Sequence, residues 1–264
     1  MNLDIYHVDA FANSLFEGNP AAVCILDSWL DEVLMQAIAM EMNQSETAFL
    51  VKKDNSYHIR WFTPTHEVDL CGHATLASTH VLFQHYGYPS ETIQFISKSG
   101  ALAARREDPL ICLDFPATAV EPVPLQAQWQ QCLGGNPTHA YEGKDLIISY
   151  SDASEVEILT PDFHGLKTLP YPGVCVTAPG NGNGFDFVCR YFAPAIGINE
   201  DPVTGSAYTR LVPLYAELTG KKQFIARQVS KRGGNLQLQY EDDRVFIAGK
   251  ALTAMQSVLT LPAK

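Results

Sequence analysis

Arg60-Trp-Phe-Thr-Pro64 returns as Arg190-Tyr-Phe-Ala-Pro194, and the segments that follow the two copies are also alike. Cys71-Gly-His-Ala-Thr-Leu-Ala-Ser-Thr-His-Val-Leu82 follows the first and Asp201-Pro-Val-Thr-Gly-Ser-Ala-Tyr-Thr-Arg-Leu211 the second. Each is a Gly-containing turn that runs into an apolar segment. Gln94-Phe-Ile96 then returns as Gln223-Phe-Ile225. The offset is 130 residues at the first landmark and 129 at the last, so spacing is kept along with residue type. A chain written twice predicts two similar lobes, and a cleft between lobes is a favoured place for a small ligand. The copies differ most at their polar turns, and chemistry is expected there.

The 264 residues can bury a sizeable core, as one large domain or two of ordinary size, and the duplication points to two. The period is far too long for a solenoid or propeller array. A hydrophobic content of 46% and a charged content of 18% describe an ordinary soluble globule. The net charge of -11 argues against a nucleic-acid partner or an anionic membrane, both of which need a basic surface. No stretch is long and apolar enough to span a bilayer. Met1-Asn-Leu-Asp-Ile-Tyr-His7 lacks the basic-then-apolar pattern of a secretory signal. Cys24, Cys71, Cys112, Cys132, Cys175 and Cys189 are scattered without a CxxC pair. They read as reduced, buried residues of a cytoplasmic protein.

Residues 3–11 alternate and predict a strand. Glu17-Gly-Asn-Pro20 predicts a turn, Ala21–Leu26 a strand, and Asp27-Ser28 the start of a helix over 29–42. Strands are expected at 46–52, 57–63, 92–97 and 110–115. Gly72 to about Tyr86 predicts a helix that is apolar on most faces, as a buried central helix would be. Pro116, Pro122 and Pro124 mark a boundary. It gives a first lobe at 1–116 and a second at 117–252. Beyond it, strands are expected near 145–150, 155–159, 173–178, 185–191, 223–229, 235–240 and 243–248. A helix is expected from Gly205 to about Leu218, stopped by Gly220. Asn181-Gly-Asn-Gly184 reads as a hairpin turn. The fold class is α+β, with many strands wrapped around one apolar helix, done twice.

Both central helices open on small residues, Gly72-His73-Ala74 and Thr204-Gly205-Ser206. A helix N-terminus offers unpaired N–H groups and partial positive charge, so two such ends can hold a carboxylate without an arginine. In Asn43-Gln-Ser-Glu-Thr-Ala-Phe49, Glu46 enters an otherwise apolar strand. At the 130-residue offset it faces Val176, so the carboxylate belongs to one lobe only. A glutamate among apolar neighbours has its pKa raised, which suits a general base near neutral pH. Asp201 precedes the second helix, as a cap or a substrate contact. His73, at a helix end, can donate a hydrogen bond or shuttle a proton. His66, Cys71 and His73 lack a second paired set of ligands, so no metal is expected. His80 and His85 read as core or edge residues. The Ser230-Lys-Arg-Gly-Gly234 turn reads as a solvated hairpin connection.

Gly18-Asn-Pro20, Ser45-Glu-Thr47, Phe62-Thr-Pro64, Gly72-His-Ala-Thr75, Phe192-Ala-Pro194 and Glu200-Asp-Pro-Val-Thr-Gly-Ser206 stand in the order and spacing of the PhzF family. The chain resembles these phenazine-biosynthesis-like isomerases, which share the diaminopimelate epimerase fold, over essentially its whole length. The resemblance implies two pseudo-symmetric lobes, each a mostly antiparallel β-sheet wrapped around a central α-helix, with the site between them. It implies that a C-terminal strand, about 253–264, returns to the first lobe. It also implies a homodimer that uses no metal or organic cofactor. The family's catalytic glutamate matches Glu46, with Ser45 before it. Its substrate-contacting histidine matches His73, beside Gly72, and its aspartate and serine match Asp201 and Ser206, with the Gly205 amide between them. Asn19 and Thr204 join Ser45, Gly72, Gly205 and Ser206 as expected substrate contacts.

The expected activity is cofactor-independent isomerisation of a small carboxylate. Glu46 removes an acidic C–H proton and returns it to another carbon, while His73 and Asp201 orient the substrate or relay a proton. A rival reading is an epimerase or racemase that uses Cys71 with Glu46. Epimerases of this fold use two cysteines, one before each central helix. Cys71 occupies the first place, and the second falls near Pro202. The place of Cys71 near a helix N-terminus would lower its pKa. A third reading is a non-catalytic binding protein on the same fold.

Overall fold

The computed structural model describes residues 2–182 and 184–261. It divides into two compact units: residues up to Phe115 together with those from Ile247 onward, and Pro116–Phe246.

The first unit opens with β1 (Asn2–Ala10), β2 (Asn19–Leu26), α1 (Glu32–Met42), β3 (Glu46–Lys53) and β4 (Ser56–Phe62). It continues through β5 (Glu67–Val68), α2 (Gly72–Gln84), β6 (Thr92–Ser97), β7 (Gly100–Glu107) and β8 (Leu110–Pro116). The first helix starts later than Asp27-Ser28, because the Asp31 side chain accepts from the Val33 amide at 2.9 Å and so sets the cap at 31. Helix α2 is the buried one and packs against β1, β2, β3 and β7. Its polar residues survive burial by bonding their own helix: Thr75, Ser78 and Thr79 donate to the carbonyls of Cys71, Ala74 and Thr75 at 2.6–2.8 Å. The core beside the α1 face contains Ile5, Met35, Phe49 and Phe62.

The second unit runs through β9 (Glu121–Val123), α3 (Ala127–Leu133), β10 (His139–Glu142), β11 (Leu146–Ser149), α4 (Ala153–Ile158) and α5 (Phe163–Lys167). Then come β12 (Val174–Pro179), β13 (Phe187–Ala193), a 3-10 turn (Pro194–Ile196), β14 (Ile198–Asp201), α6 (Gly205–Thr219), β15 (Gln223–Gln228), β16 (Gly234–Glu241) and β17 (Arg244–Gly249). The strand expected at 155–159 is helix α4. The alternation of Glu155-Val-Glu-Ile158 looks like a strand, but Asp152 caps the Ser154 amide at 2.8 Å, and Ala153 and Val156 form the buried helical face. Asn183 of the expected hairpin turn lies outside the described residues, while β12 and β13 on either side pair antiparallel. Helix α6 carries Pro213 inside it. The Pro213 ring cannot donate to the Thr209 carbonyl, and that carbonyl instead accepts from Thr118 N–H at 2.9 Å. The core of this unit contains Trp129, Leu146, Val176 and Phe192.

The last strand, β18 (Ala251–Thr260), pairs antiparallel with β1 from Asn2↔Thr260 to Ala10↔Ala251 and packs on α2. Residues 262–264 of the expected 253–264 strand lie outside the described residues. Among the described residues no helix is long and apolar enough to cross a membrane.

The two units share one topology. In the first, β2 runs parallel to β3, β3 antiparallel to β4, β4 parallel to β6 and antiparallel to β5, and β6 antiparallel to β7. In the second, β11, β12, β13, β14, β15 and β16 repeat those relations in the same order. Each central helix enters after the short fourth strand of the pattern, β5 or β14.

Candidate active site

Why Arg60 and Arg190 repeat is visible in the approach to each central helix. Arg60 forks onto Glu67, with Nε to Oε1 and Nη2 to Oε2 both at 2.7 Å. Arg190 forks onto Glu200 at 2.7 and 3.0 Å. Cys71 is the N-cap of α2 and Thr204 that of α6, so each glutamate stands four residues before its cap. A second device is also duplicated: Ser99 Oγ donates to the Asp69 carbonyl, and Ser230 Oγ to the Pro202 carbonyl, each at 2.8 Å and each two residues before the cap. Bidentate forks fix geometry as well as contributing energy. The two helix openings are therefore held by the same construction, with different residues mounted on them.

On the first opening, Asn19, Ser45, Glu46, Cys71, Gly72 and His73 come together. Asn19 is fully buried at the start of β2; its Nδ2 lies 3.2 Å from His73 Nδ1, and its Oδ1 accepts from Ser45 Oγ at 3.1 Å. His73 Nε2 is 3.1 Å from Glu46 Oε2, and their side chains are 6% and 13% exposed. Glu46 Oε2 has no aligned hydrogen-bond donor. The Cys71 sulfur lies 3.5 Å from His73 Nδ1. Burial pushes the Cys71 thiol up to about 11, Glu46 adding to the effect. The expectation of a lowered Cys71 pKa is therefore overturned, because desolvation outweighs the helix end. Burial alone would push His73 down, but the Cys71 sulfur and the Glu46 carboxylate hold it above the ordinary imidazole range. His66 stands apart, on the hydroxyls of Thr63 and Thr65, so among the described residues the side chains that could share an ion are Glu46, Cys71 and His73.

On the second opening, Asp201 Oδ2 accepts from the Thr204 hydroxyl, so Asp201 braces the cap residue. Gly205 is buried and Ser206 exposed. Gln228, which the sequence reading did not single out, is fully buried beneath this turn. Its Oε1 accepts from Thr204 N–H at 2.9 Å and its Nε2 donates to the Asp201 carbonyl at 2.7 Å. No sequence pattern around Gln228 marks it. The Ser230–Gly234 segment, expected to be a solvated connection, is fastened to the same turn through Ser230.

Strand register corrects the comparison of the two copies. Thr47 pairs with Phe62 and Val174 with Phe192, so the residue matching Glu46 is Gly173 and not Val176. The β12–β13 connection is longer than the β3–β4 turn, which shifts the simple offset. A side chain at Gly173 is excluded, since a Cβ there would run into the Tyr191 hydroxyl. Matched by their caps, Cys71 corresponds to Thr204 and not Pro202. A second thiol is missing from that place on either alignment.

A fold of two like units, each with a central helix behind a duplicated turn, is that of the diaminopimelate epimerase-like proteins. The chain belongs to the phenazine biosynthesis-like family, PhzC-PhzF, whose model matches residues 8–257. A Pseudomonas aeruginosa protein described as an uncharacterized isomerase is 47% identical over 261 residues, covering 99% of this chain and 100% of the relative. The crystal structure of a PhzF-family protein from Enterococcus faecalis superposes with a TM-score of 0.96 at 45% identity, covering 99% and 100% of the two chains. A hydroxyproline epimerase from Agrobacterium vitis shares the fold alone, with a TM-score of 0.66 at 10% identity over 98% and 92%.

Proposed function

We propose that the protein is a cofactor-independent isomerase of a small carboxylate metabolite, with Glu46 as the group that moves the proton. The observation that carries this is the Glu46 carboxylate itself. It is nearly buried, has one oxygen without an aligned donor, and sits beside an imidazole held toward its protonated form. Such an oxygen is available to take a proton. In the step envisaged, Glu46 accepts a proton from a carbon made acidic by conjugation to the substrate carboxylate. The electron pair left behind moves into the conjugated system. The proton then returns to a different carbon, so one C–H bond breaks, another forms and a double bond shifts. His73 stabilises the negative charge that develops, and the Gly72 end of α2 adds its amides. Asn19 and Ser45 hold His73 in place. Asp201, Thr204, Gly205 and Ser206 are assigned to substrate binding, with Asp201 able to relay a proton.

The rival two-base epimerisation keeps one supporting observation, the place of the Cys71 sulfur within the same group. Its burial makes it a proton donor more readily than a base. Incubating the protein in heavy water with a panel of conjugated and amino-acid carboxylates, read by NMR, separates the readings. Deuterium at a new carbon with a shifted double bond is expected. Inversion at a single carbon, abolished by Cys71→Ala, would replace isomerisation with epimerisation. Tight binding of a panel member with no exchange would favour a binding protein.

A further inference from the structure

We infer that Glu46, Cys71 and His73 form a binding site for a divalent cation of the zinc and cobalt class, and that occupancy shuts off proton transfer by Glu46. The inhibitory half rests on the isomerase reading, while the binding half does not. One carboxylate oxygen, one sulfur and one imidazole nitrogen all lie within 4.8 Å of one another. A tetrahedral ion with bonds of about 2.0–2.3 Å sets its ligand atoms roughly 3.3–3.7 Å apart. Here Nε2 of His73 is 3.1 Å from Glu46 Oε2 and 3.9 Å from Cys71 Sγ, while the sulfur is 3.5 Å from Nδ1, so closing the set on Nε2 requires the Cys71 side chain to turn toward Glu46.

The donor chemistry narrows the ion. A thiolate, an imidazole and a carboxylate together select a borderline metal over magnesium or calcium, which take oxygen ligands. Three protein ligands leave a fourth position for water or a substrate carboxylate. The Glu46 Oε2 that would take the ion is buried against His73 Nε2 at 3.1 Å without an aligned hydrogen bond, so an ion held by both atoms would displace any proton between them. The outer support is present as well. Asn19 contacts His73 Nδ1, the nitrogen opposite the one that would bind the ion, and turning its amide over offers an oxygen to that N–H. A bound ion would release the thiol proton to solvent and occupy the lone pair that Glu46 needs as a base.

The test is titration of the metal-free protein with Co²⁺, followed by displacement with Zn²⁺. One equivalent should produce d–d bands of tetrahedral intensity and a thiolate-to-cobalt charge-transfer band. Cys71→Ser should lose the charge-transfer band, and His73→Gln should weaken binding at least tenfold. Asn19→Ala, outside the donor set, should weaken it roughly 10- to 100-fold. Circular dichroism of each variant checks that it is folded. Absence of the charge-transfer band at one equivalent, or a band untouched by Cys71→Ser, would overturn the site. Exchange activity in the metal-free protein, measured separately, should fall in proportion to Zn²⁺ occupancy. Activity that persists at full occupancy overturns the inhibitory half, whereas metal binding without any exchange activity leaves the site standing and removes the isomerase reading.

Discussion

Glu46 and Gly173 hold matching places in the two units, and a single carboxylate separates them. Gly173 must stay bare for Tyr191, whereas Glu46 reaches His73. The Ser-Glu-Thr and Gly-His motifs made this group legible in the sequence. The ionisation of Cys71 was not legible, because it depends on how completely the fold desolvates the sulfur. The same physics applies to His80 on α2. Burial, and secondarily His85, push its imidazole down from 6.5 to about 4. His80 Nε2 and His85 Nε2 both bond the Thr253 hydroxyl on β18, at 3.0 and 2.8 Å, and Arg106 and Asp108 line the same recess. The unfolded chain takes up this proton more readily than the folded one, so the stability tied to neutral His80 is complete above about pH 6.5 and is lost as pH falls toward 4. Urea unfolding should show a loss of roughly 2–3 kcal/mol from this group over that window. His80→Gln should show a correspondingly flatter pH profile; equal slopes for the two proteins would contradict the assignment.

The arginine forks, the serine anchors and Gln228 act on whole turns and not on substrate. Arg190 also donates to the carbonyls of Val156 and Leu159, at 3.1 and 2.8 Å, so it ties the end of α4 to β13. Arg190→Met leaves Glu200 without its partner and should cost roughly 3–5 kcal/mol in urea unfolding. Arg190→Lys keeps the charge but not the fork and should fall between the two. An unchanged midpoint in the methionine variant would deny the fork its role. Gln228→Leu removes both the acceptor for Thr204 N–H and the donor to the Asp201 carbonyl. Amide exchange at Thr204 should then quicken, with a local cost of about 1–3 kcal/mol. Unaltered exchange would mean the turn is held by other contacts. The repeated Arg60 and Arg190 were visible in the sequence, but their glutamate partners were not, since pairing across a strand has no linear signature. Helix α4 was misread because its charges alternate like a strand, and only the Asp152 cap distinguishes it.

Across the molecule, duplication was the legible feature: it pointed to two like units and their central helices, while the order and direction of strand pairing are read only from the register. The short elements β5, β9, α3, β10, α5 and β14 were missed, since segments of two to seven residues carry too little periodicity to register, and the eight-residue β7 was missed as well, its Ala101-Leu-Ala-Ala-Arg-Arg106 run lacking a clean alternation. All six cysteines are free and buried. The thermal midpoint should therefore be the same with and without reductant, and a lower midpoint under reduction would reveal a disulfide. Proton transfer by Glu46 is measured directly by deuterium wash-in with the parent protein and with Glu46→Gln on the same carboxylate. A positioned base of this kind contributes about 100- to 10,000-fold in rate. The variant should bind the carboxylate with little change and exchange it slower by a factor in that range. Exchange at the parent rate in Glu46→Gln would contradict the account.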